Sequence, residues 1–205
     1  SVFASAGVHP LQDLPHEPTI DEIVKEAKDD LIVAVGETGL DYHYAPETHE
    51  IQRERFRRHL IAAQQLEKPV IIHTREAKED TLAILQEHGP DAKGVLHCFT
   101  EDLSMAREAI RMGYYVSISG IVTFRNADQV REVAKTIPLD SLLVETDAPY
   151  LAPVPHRGKK CEPQHVRDVA EFIAELRGIS YEELAMQTTA NFFRLFKGAA
   201  KAKSE

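Results

Sequence analysis

The sequence predicts an α/β fold in which helices cover a sheet of parallel strands. Short apolar runs rich in β-branched residues alternate along the chain with longer segments of helical period. These runs are apolar throughout rather than alternately apolar and polar, which is typical of parallel strands buried on both faces. Because no GxGxxG or GxxxxGKS/T phosphate loop follows any of them, a (β/α) barrel is favoured over a doubly wound open sheet.

Six runs qualify as strands. In chain order they are Val2–Val8, Leu31–Val35, Val70–Ile72, Gly94–Leu96, Tyr114–Ile118 and Leu142–Val144. A closed barrel of this kind has eight strands and about 250 residues, whereas this chain supplies six candidates in 205 residues. We therefore expect a TIM (β/α) barrel without two of its βα units.

The segments between the strands have the features of amphipathic helices. Apolar residues recur at the spacing i, i+3, i+4 and i+7, as between Val130 and Ile137. Two helix starts are marked by capping-box spacing, at Thr19 with Glu22 and at Ser180 with Glu183. The helical and strand patterns thus alternate as a (β/α) fold requires.

The chain reads as one domain. No repeat beyond the βα unit and no linker rich in glycine and serine divides it. We assign residues 1–197 to a single incomplete barrel domain, and we expect the small, charged tail of residues 198–205 to fray.

The composition excludes several classes of protein. With 43% hydrophobic and 28% charged residues the chain is ordinary globular protein, and apolar stretches of about five to seven residues are too short to span a bilayer. The formal net charge of -9 argues against a broad basic face for nucleic acid. The start has no positively charged leader, so we expect a cytoplasmic location with Cys98 and Cys161 as reduced thiols.

Four predicted strands end in an ionisable side chain. These residues are Glu37, His73, His97 and Asp147. Because the carboxyl ends of parallel strands open on one face of the fold, side chains far apart in sequence converge there. Imidazole suits Zn, Fe or Ni, and carboxylate suits Mg or Mn. A metal site at this face is the prediction.

Other polar residues lie near the same strand ends. Glu145 shares a strand face with Asp147 by the two-residue period, either as a base or as a buried charge partner. His9 ends the first strand, where a role at the site and a structural hydrogen bond are both open, and His43 follows Glu37 closely enough to lie around the ligands. The remaining histidines are expected on the surface or at helix caps: His16, His49, His59, His88 and His165.

The cationic residues give two candidate contacts for an anionic substrate. Arg75 follows His73 by two residues, and a solvated position is its alternative. The loop that follows the strand of Asp147 contains the densest basic cluster, from which we select His156, Arg157 and Lys159 as phosphate-binding residues, with a solvated loop again as the alternative.

Six motifs, occurring in order over essentially the whole chain, resemble those of the TatD family of metal-dependent deoxyribonucleases, which are amidohydrolase-like TIM barrels. The motifs are Gly7–Pro10, Gly36–Tyr42, Pro69–Arg75, His97–Thr100, Ser119–Gly120 with Thr123–Phe124, and Leu143–Pro153. The resemblance implies a 3'-5' exonuclease-like enzyme that hydrolyses phosphodiester bonds of DNA with one or two divalent metal ions, Zn, Mg or Mn.

The resemblance also implies residue roles. The family's bridging glutamate falls on Glu37, its two later histidine ligands on His73 and His97, and its late aspartate on Asp147. Asp147 would also accept a proton from the attacking water, which makes it and Glu37 the expected catalytic residues. Family members begin with a strand carrying a His-x-His pair, which this sequence does not contain. The units expected to be lacking are therefore the first two.

The acidic surface favours a substrate held by few phosphates, such as a single-stranded DNA end. Two alternatives remain. The same ligands would serve a hydrolase of a small ester or amide, or of an aminoacyl ester on tRNA, whereas a truncated chain could be non-catalytic. Open barrel edges would also offer a route to self-association.

Overall fold

In the computed structural model, which describes residues 2–44 and 46–201, six parallel strands form one sheet in sequence order. The strands are β1 Ala4–Ala6, β2 Ile32–Asp41, β3 Val70–Arg75, β4 Gly94–Leu96, β5 Tyr115–Ile118 and β6 Leu142–Val144. Each strand pairs in parallel with the next along the chain. The prediction of six parallel strands in barrel order is confirmed.

Helices follow the strands as the sequence predicts. They are α1 Ile20–Ala27, α2 His49–Leu66, α3 Lys78–Glu87, α4 Leu103–Arg111, α5 Asp128–Thr136, α6 Val166–Arg177, α7 Tyr181–Leu195 and α8 Lys197–Lys201. The capping box at Thr19 is present, and the Ser180 hydroxyl accepts the N–H of Glu183 at the start of α7. None of the helices in the described residues is both long and apolar enough to cross a membrane.

Both faces of the sheet are buried, which explains why its strands are apolar throughout. In β4, Leu96 belongs to the large core that the sheet shares with the helices, whereas the neighbouring Val95 packs in a second cluster with Leu195 and Phe196. Successive side chains of a strand point to opposite faces, so each strand supplies both cores. The first core lies under helices α1 to α6, and the second lies under the C-terminal helices.

The chain beyond residue 197 differs from the predicted frayed tail. Residues 198–201 belong to α8, and Ala199 is only 1% exposed. The backbone of α8 lies against Val33 of β2 so closely that a Cβ on Gly198 would stand 3.3 Å from the Val33 Cγ1. The small side chains of this segment, from which we expected a loose tail, allow the helix to pack this closely. Residues 202–205 lie outside the described residues.

The buried face of α2 carries polar side chains that hold the segment after β1. His59 is fully buried, so the prediction of a surface or capping role for it is wrong. Its Nε2 accepts the backbone N–H of Val8 at 3.0 Å, while its Nδ1 donates to the Arg55 carbonyl at 2.7 Å. The Arg55 guanidinium pairs with Glu17 and donates to the His9 carbonyl. The segment that carries His9 is therefore anchored to α2.

The protonation of His59 should make stability depend on pH. Burial lowers the pKa of His59 from 6.5 to about 4. Between these pH values the unfolded chain binds a proton that the folded protein does not, so the free energy of unfolding falls as pH falls, by roughly 3 kcal/mol in total. Urea unfolding from pH 7 to pH 4 measures this loss. A His59→Gln variant should lose less stability over the same interval, and an equal loss would contradict the assignment.

The outer strands should promote self-association of this chain. Within the described residues, β1 pairs only with β2, and β6 pairs only with β5. The edge of β1 therefore offers backbone N–H and C=O groups to another chain, whereas on β6 the Leu142 carbonyl already accepts the Asn191 side-chain amide at 2.8 Å. We expect light scattering to report species heavier than the 23.0 kDa chain. A monodisperse monomer over a wide range of concentration would show that the edges are covered.

Candidate metal centre

Glu37 stands at an irregularity between β2 and β3. Gly36 pairs with Ile71 and Thr38 pairs with Ile72, so Glu37 is an extra residue between two consecutive pairs. Such a bulge re-aims a side chain relative to the regular alternation of the strand. Gly36 has a φ of 138°, and a Cβ on it would lie 2.6 Å from the Ile71 carbonyl oxygen, so only glycine allows the two backbones to approach here.

Three imidazoles surround one oxygen of Glu37. Its Oε1 lies 3.0 Å from His73 Nδ1, 2.7 Å from His97 Nε2 and 3.4 Å from His9 Nε2. Burial alone raises the pKa of the Glu37 carboxyl, but hydrogen bonds and positive charge from His73 and His97 outweigh it and hold that pKa far below its usual range. Glu37 is therefore a permanent anion at the centre of the cluster.

His73 is held from its far side by Asp41. The His73 Nε2 lies 2.9 Å from the Asp41 Oδ2, and the Asp41 side chain is only 2% exposed. Gln52 fixes the backbone of Asp41 on both sides, and the backbone N–H of His43 donates to the Asp41 Oδ1 at 3.1 Å. This arrangement directs His73 Nδ1 toward Glu37. The sequence analysis did not select Asp41, although Glu37 and Asp41 are four residues apart on one strand.

His97 has an equivalent partner. Its Nδ1 lies 3.4 Å from Oε1 of Glu145, whose Oε2 accepts the Ser117 hydroxyl at 2.7 Å. Burial lowers the pKa of His97, but Glu145 and Glu37 together raise it well above the usual value. Of the two roles considered for Glu145, the geometry matches the buried charge partner. Each of the two histidines thus presents one nitrogen to Glu37 and the other to a second carboxylate.

His9 faces the same oxygen but has a different hydrogen-bond pattern. Its Nδ1 accepts the backbone N–H of Leu11 at 3.1 Å, which leaves the proton of the neutral ring on Nε2. Burial lowers the pKa of His9 and so favours this neutral form. Ligand atoms of His9, Glu37 and His73 all lie within 4.8 Å of one another. His9 thus faces Glu37 through Nε2 and forms a candidate ligand group with Glu37 and His73.

Asp147 lies in the loop after β6. It is half-buried, and its carboxylate makes no hydrogen bond or ion pair with the residues that the structure describes. Burial raises its pKa, with further contributions from the charges of Glu145 and Glu37, while His97 and His73 act in the opposite direction. Its place at the metal centre stays a prediction, and within the described residues its carboxylate is available to a ligand or a proton.

The predicted anion-binding residues differ in their contacts. Arg75 is exposed, with its guanidinium 5.4 Å from the centre of the Tyr44 ring. His156 Nε2 lies 3.1 Å from an oxygen of Asp168, so this imidazole anchors its loop to α6. Arg157 and Lys159 of that loop are exposed.

His43 does not face Glu37 with its side chain. Its Nδ1 lies 2.9 Å from the Glu76 Oε1, in an exposed pair at the rim. The contribution of His43 to the cluster comes from its backbone N–H, which holds Asp41.

Comparison with known proteins gives consistent matches. The sequence matches the family described as TatD related DNase over residues 1–197. The metal-dependent hydrolase YcfH of Escherichia coli K12 is 56% identical over 198 residues, which cover 96% of this chain and 74% of YcfH. The mouse protein TATDN3, which carries a deoxyribonuclease name, is 36% identical over 95% of this chain and 69% of its own length. The crystal structure of YjjV, a TatD homologue of Escherichia coli K12, has a TM-score of 0.87 at 29% identity, covering 95% of this chain and 76% of YjjV.

Proposed function

The chain belongs to the TatD-related DNase family of metal-dependent hydrolases, and from this premise we propose that it hydrolyses phosphodiester bonds of DNA as a 3'-5' exonuclease. The name of TATDN3 supports DNA as the substrate. A single-stranded end fits the acidic charge balance, since such a substrate needs few phosphate contacts. The free thiols of Cys98 and Cys161 are consistent with the cytoplasm as the location of this activity.

The paired hydrogen bonding of His73 and His97 carries the proposal. A histidine that binds a metal through one nitrogen commonly donates from the other nitrogen to a carboxylate, which fixes the ring and raises its basicity. Asp41 does this for His73, and Glu145 does it for His97. Because both free nitrogens point at Glu37, these residues fit a divalent cation.

Asp147 extends the donor set. Its half-buried carboxylate follows β6, the strand that leads to Glu145. We assign Glu37, His73 and His97 to one divalent ion and Glu37 with Asp147 to a second, weaker position. The mixed imidazole and carboxylate donors suit Zn, Mn or Mg, with Zn favoured by the histidines and Mn or Mg by the carboxylates.

The reaction needs a nucleophile, a proton acceptor and charge stabilisation. A bound divalent cation supplies a nucleophile from water at neutral pH and stabilises charge on the phosphoryl oxygens. Asp147 accepts the proton of the attacking water, because within the described residues its carboxylate has no hydrogen-bond partner and burial raises its pKa.

Exposed cations at the end of β3 and in the loop after β6 would hold the phosphates of the DNA strand. Arg75 is exposed at the end of β3, and Arg157 and Lys159 are the accessible cations of the loop after β6. His156 contributes by anchoring this loop through Asp168. Such contacts position the strand without reading its sequence.

Hydrolysis of a short single-stranded DNA labelled at its 5' end tests this function. With Mn or Zn present, the proposal expects stepwise shortening from the 3' end, and EDTA should stop it. Parallel assays use a p-nitrophenyl ester and an aminoacyl-tRNA. Turnover of either of these without any shortening of DNA would overturn the proposal in favour of an ester hydrolase.

Asp41 should control metal affinity through His73. In Asp41→Ala the His73 ring loses the partner that keeps Nδ1 directed at Glu37, so we expect metal affinity to fall about tenfold to a hundredfold. Asp41→Asn keeps an acceptor oxygen and should lose less. Isothermal titration with Zn measures both, and Asp91→Ala, at an exposed aspartate elsewhere on the surface, is the control. Equal affinity of Asp41→Ala and the control would remove this role.

A further inference from the structure

A groove of about 710 Å³ runs along the segments that follow β4, β5 and β6. Its apolar lining includes Ile121, Val130 and Val154, and its cations are Arg125 and Arg157. The carboxyl ends of parallel strands share one face of the fold. The groove therefore opens on the same face of the fold as the strand ends that carry the metal centre.

Arg157 is held in the groove by an aromatic ring. Its guanidinium carbon lies 3.8 Å from the centre of the ring of Phe124, which is half-buried and lines the same groove. A guanidinium over an aromatic face is attracted by the ring quadrupole and loses part of its rotational freedom. Its N–H edges remain free, so the cation is pre-oriented for an anion.

The two sides of the groove are fixed to each other. The backbone N–H of Val154 donates to the Thr123 hydroxyl at 2.9 Å. A Cβ on Gly120 would lie 2.4 Å from the Leu151 carbonyl oxygen, so the backbones of the two loops are in direct contact. These contacts consequently fix the distance and orientation of Phe124 on one loop relative to Arg157 on the other.

The cations of the groove are not neutralised. Neither Arg125 nor Arg157 forms an ion pair within residues 2–44 and 46–200, although the chain has a formal net charge of -9. By contrast, Arg53, Arg55 and Arg57 each pair with a carboxylate. Two unpaired guanidinium groups beside an apolar floor are complementary to a group that is anionic at one end and flat and apolar at the other.

We propose that this groove binds a second nucleotide of a single-stranded nucleic acid, adjacent to the nucleotide at the metal centre. Arg125 and Arg157 contact its phosphate, because guanidinium forks match phosphate oxygens. Its base lies against the floor formed by Ile121, Val130 and Val154. This inference rests on the proposed function, and it adds that recognition extends past the cleaved bond.

Binding is measured by fluorescence anisotropy with a labelled oligonucleotide of thymidines whose phosphorothioate linkages resist hydrolysis. Arg157→Ala and Arg125→Ala should each weaken binding about tenfold and reduce the salt dependence by about one phosphate contact. Phe124→Leu keeps an apolar side chain but removes the ring under Arg157, so it should also weaken binding. Arg107→Ala is the matched control, because Arg107 is exposed on α4 outside the groove.

The outcomes separate the two proposals. Weaker binding by the groove variants with unchanged binding by the control supports the groove. Equal weakening by the control, unchanged binding by the groove variants, or no binding by the unaltered chain would overturn it. The proposed function is judged separately by hydrolysis of natural DNA by the unaltered chain. Groove binding without hydrolysis would reject the nuclease activity and keep the nucleotide site.

Discussion

Glu37→Gln should abolish hydrolysis and metal binding together. The Glu37 Oε1 is the atom that His73, His97 and His9 all face, so this carboxylate supplies the charge around which the centre is built. An amide has the same shape but no charge, and its NH₂ group cannot accept a hydrogen bond from imidazole or bind a cation. We expect the rate to fall by about three orders of magnitude or more.

Metal content after dialysis and the rate on single-stranded DNA measure this effect. Glu26→Gln is the control, because Glu26 is an exposed glutamate on α1 away from the centre. The far-ultraviolet circular dichroism of both variants checks that the sheet is intact. If Glu37→Gln kept its metal and a rate within tenfold of the unaltered chain, Glu37 would not be the organising ligand.

Asp147→Asn should separate metal binding from turnover. The ligand group of Glu37, His73 and His97 does not include Asp147, so the first ion should stay bound. The rate should nevertheless fall by about a hundredfold to ten-thousandfold, which is the usual contribution of a general base. Loss of the first ion in this variant would instead make Asp147 an essential ligand.

The pH dependence of the rate gives an independent test of Asp147 as the proton acceptor. Burial raises the pKa of Asp147, and the base is active only when deprotonated. The rate of the unaltered chain should therefore rise with pH through an acid limb that lies above the range of an ordinary aspartate. Asp147→Asn should lack this limb. Retention of the same limb in the variant would assign it to another group.

The convergence of the site could be predicted because it follows from strand order alone. Parallel strands bring Glu37, His73 and His97 to one face whatever the details of packing, and the structure brings all three together around one oxygen. The role of Asp41 could not be predicted from strand order alone. The glycines at 36 and 39 suggest the end of a strand, yet β2 continues through both and pairs with β3 up to Asp41.

The environment of His59 could not be predicted for a related reason. Its position in the helical pattern of α2 does not reveal that the segment after β1 folds over this face of the helix. Only the tertiary contact with Val8 explains why a buried imidazole is needed there. Similarly, the burial of Ala199 depends on its contact with β2, which local composition does not encode.

Because α2 anchors the segment after β1, substitutions outside the metal centre would also reduce function. His59 and Arg55 hold the backbone at Val8 and His9, yet neither side chain reaches the reacting groups. Substitutions at these two helix positions would shift the imidazole of His9 and would therefore lower turnover as well as stability. A random mutagenesis screen scored only on turnover would therefore recover α2 positions together with the strand ends. The positions that it finds would include residues that hold the segment of His9 as well as residues of the metal centre itself.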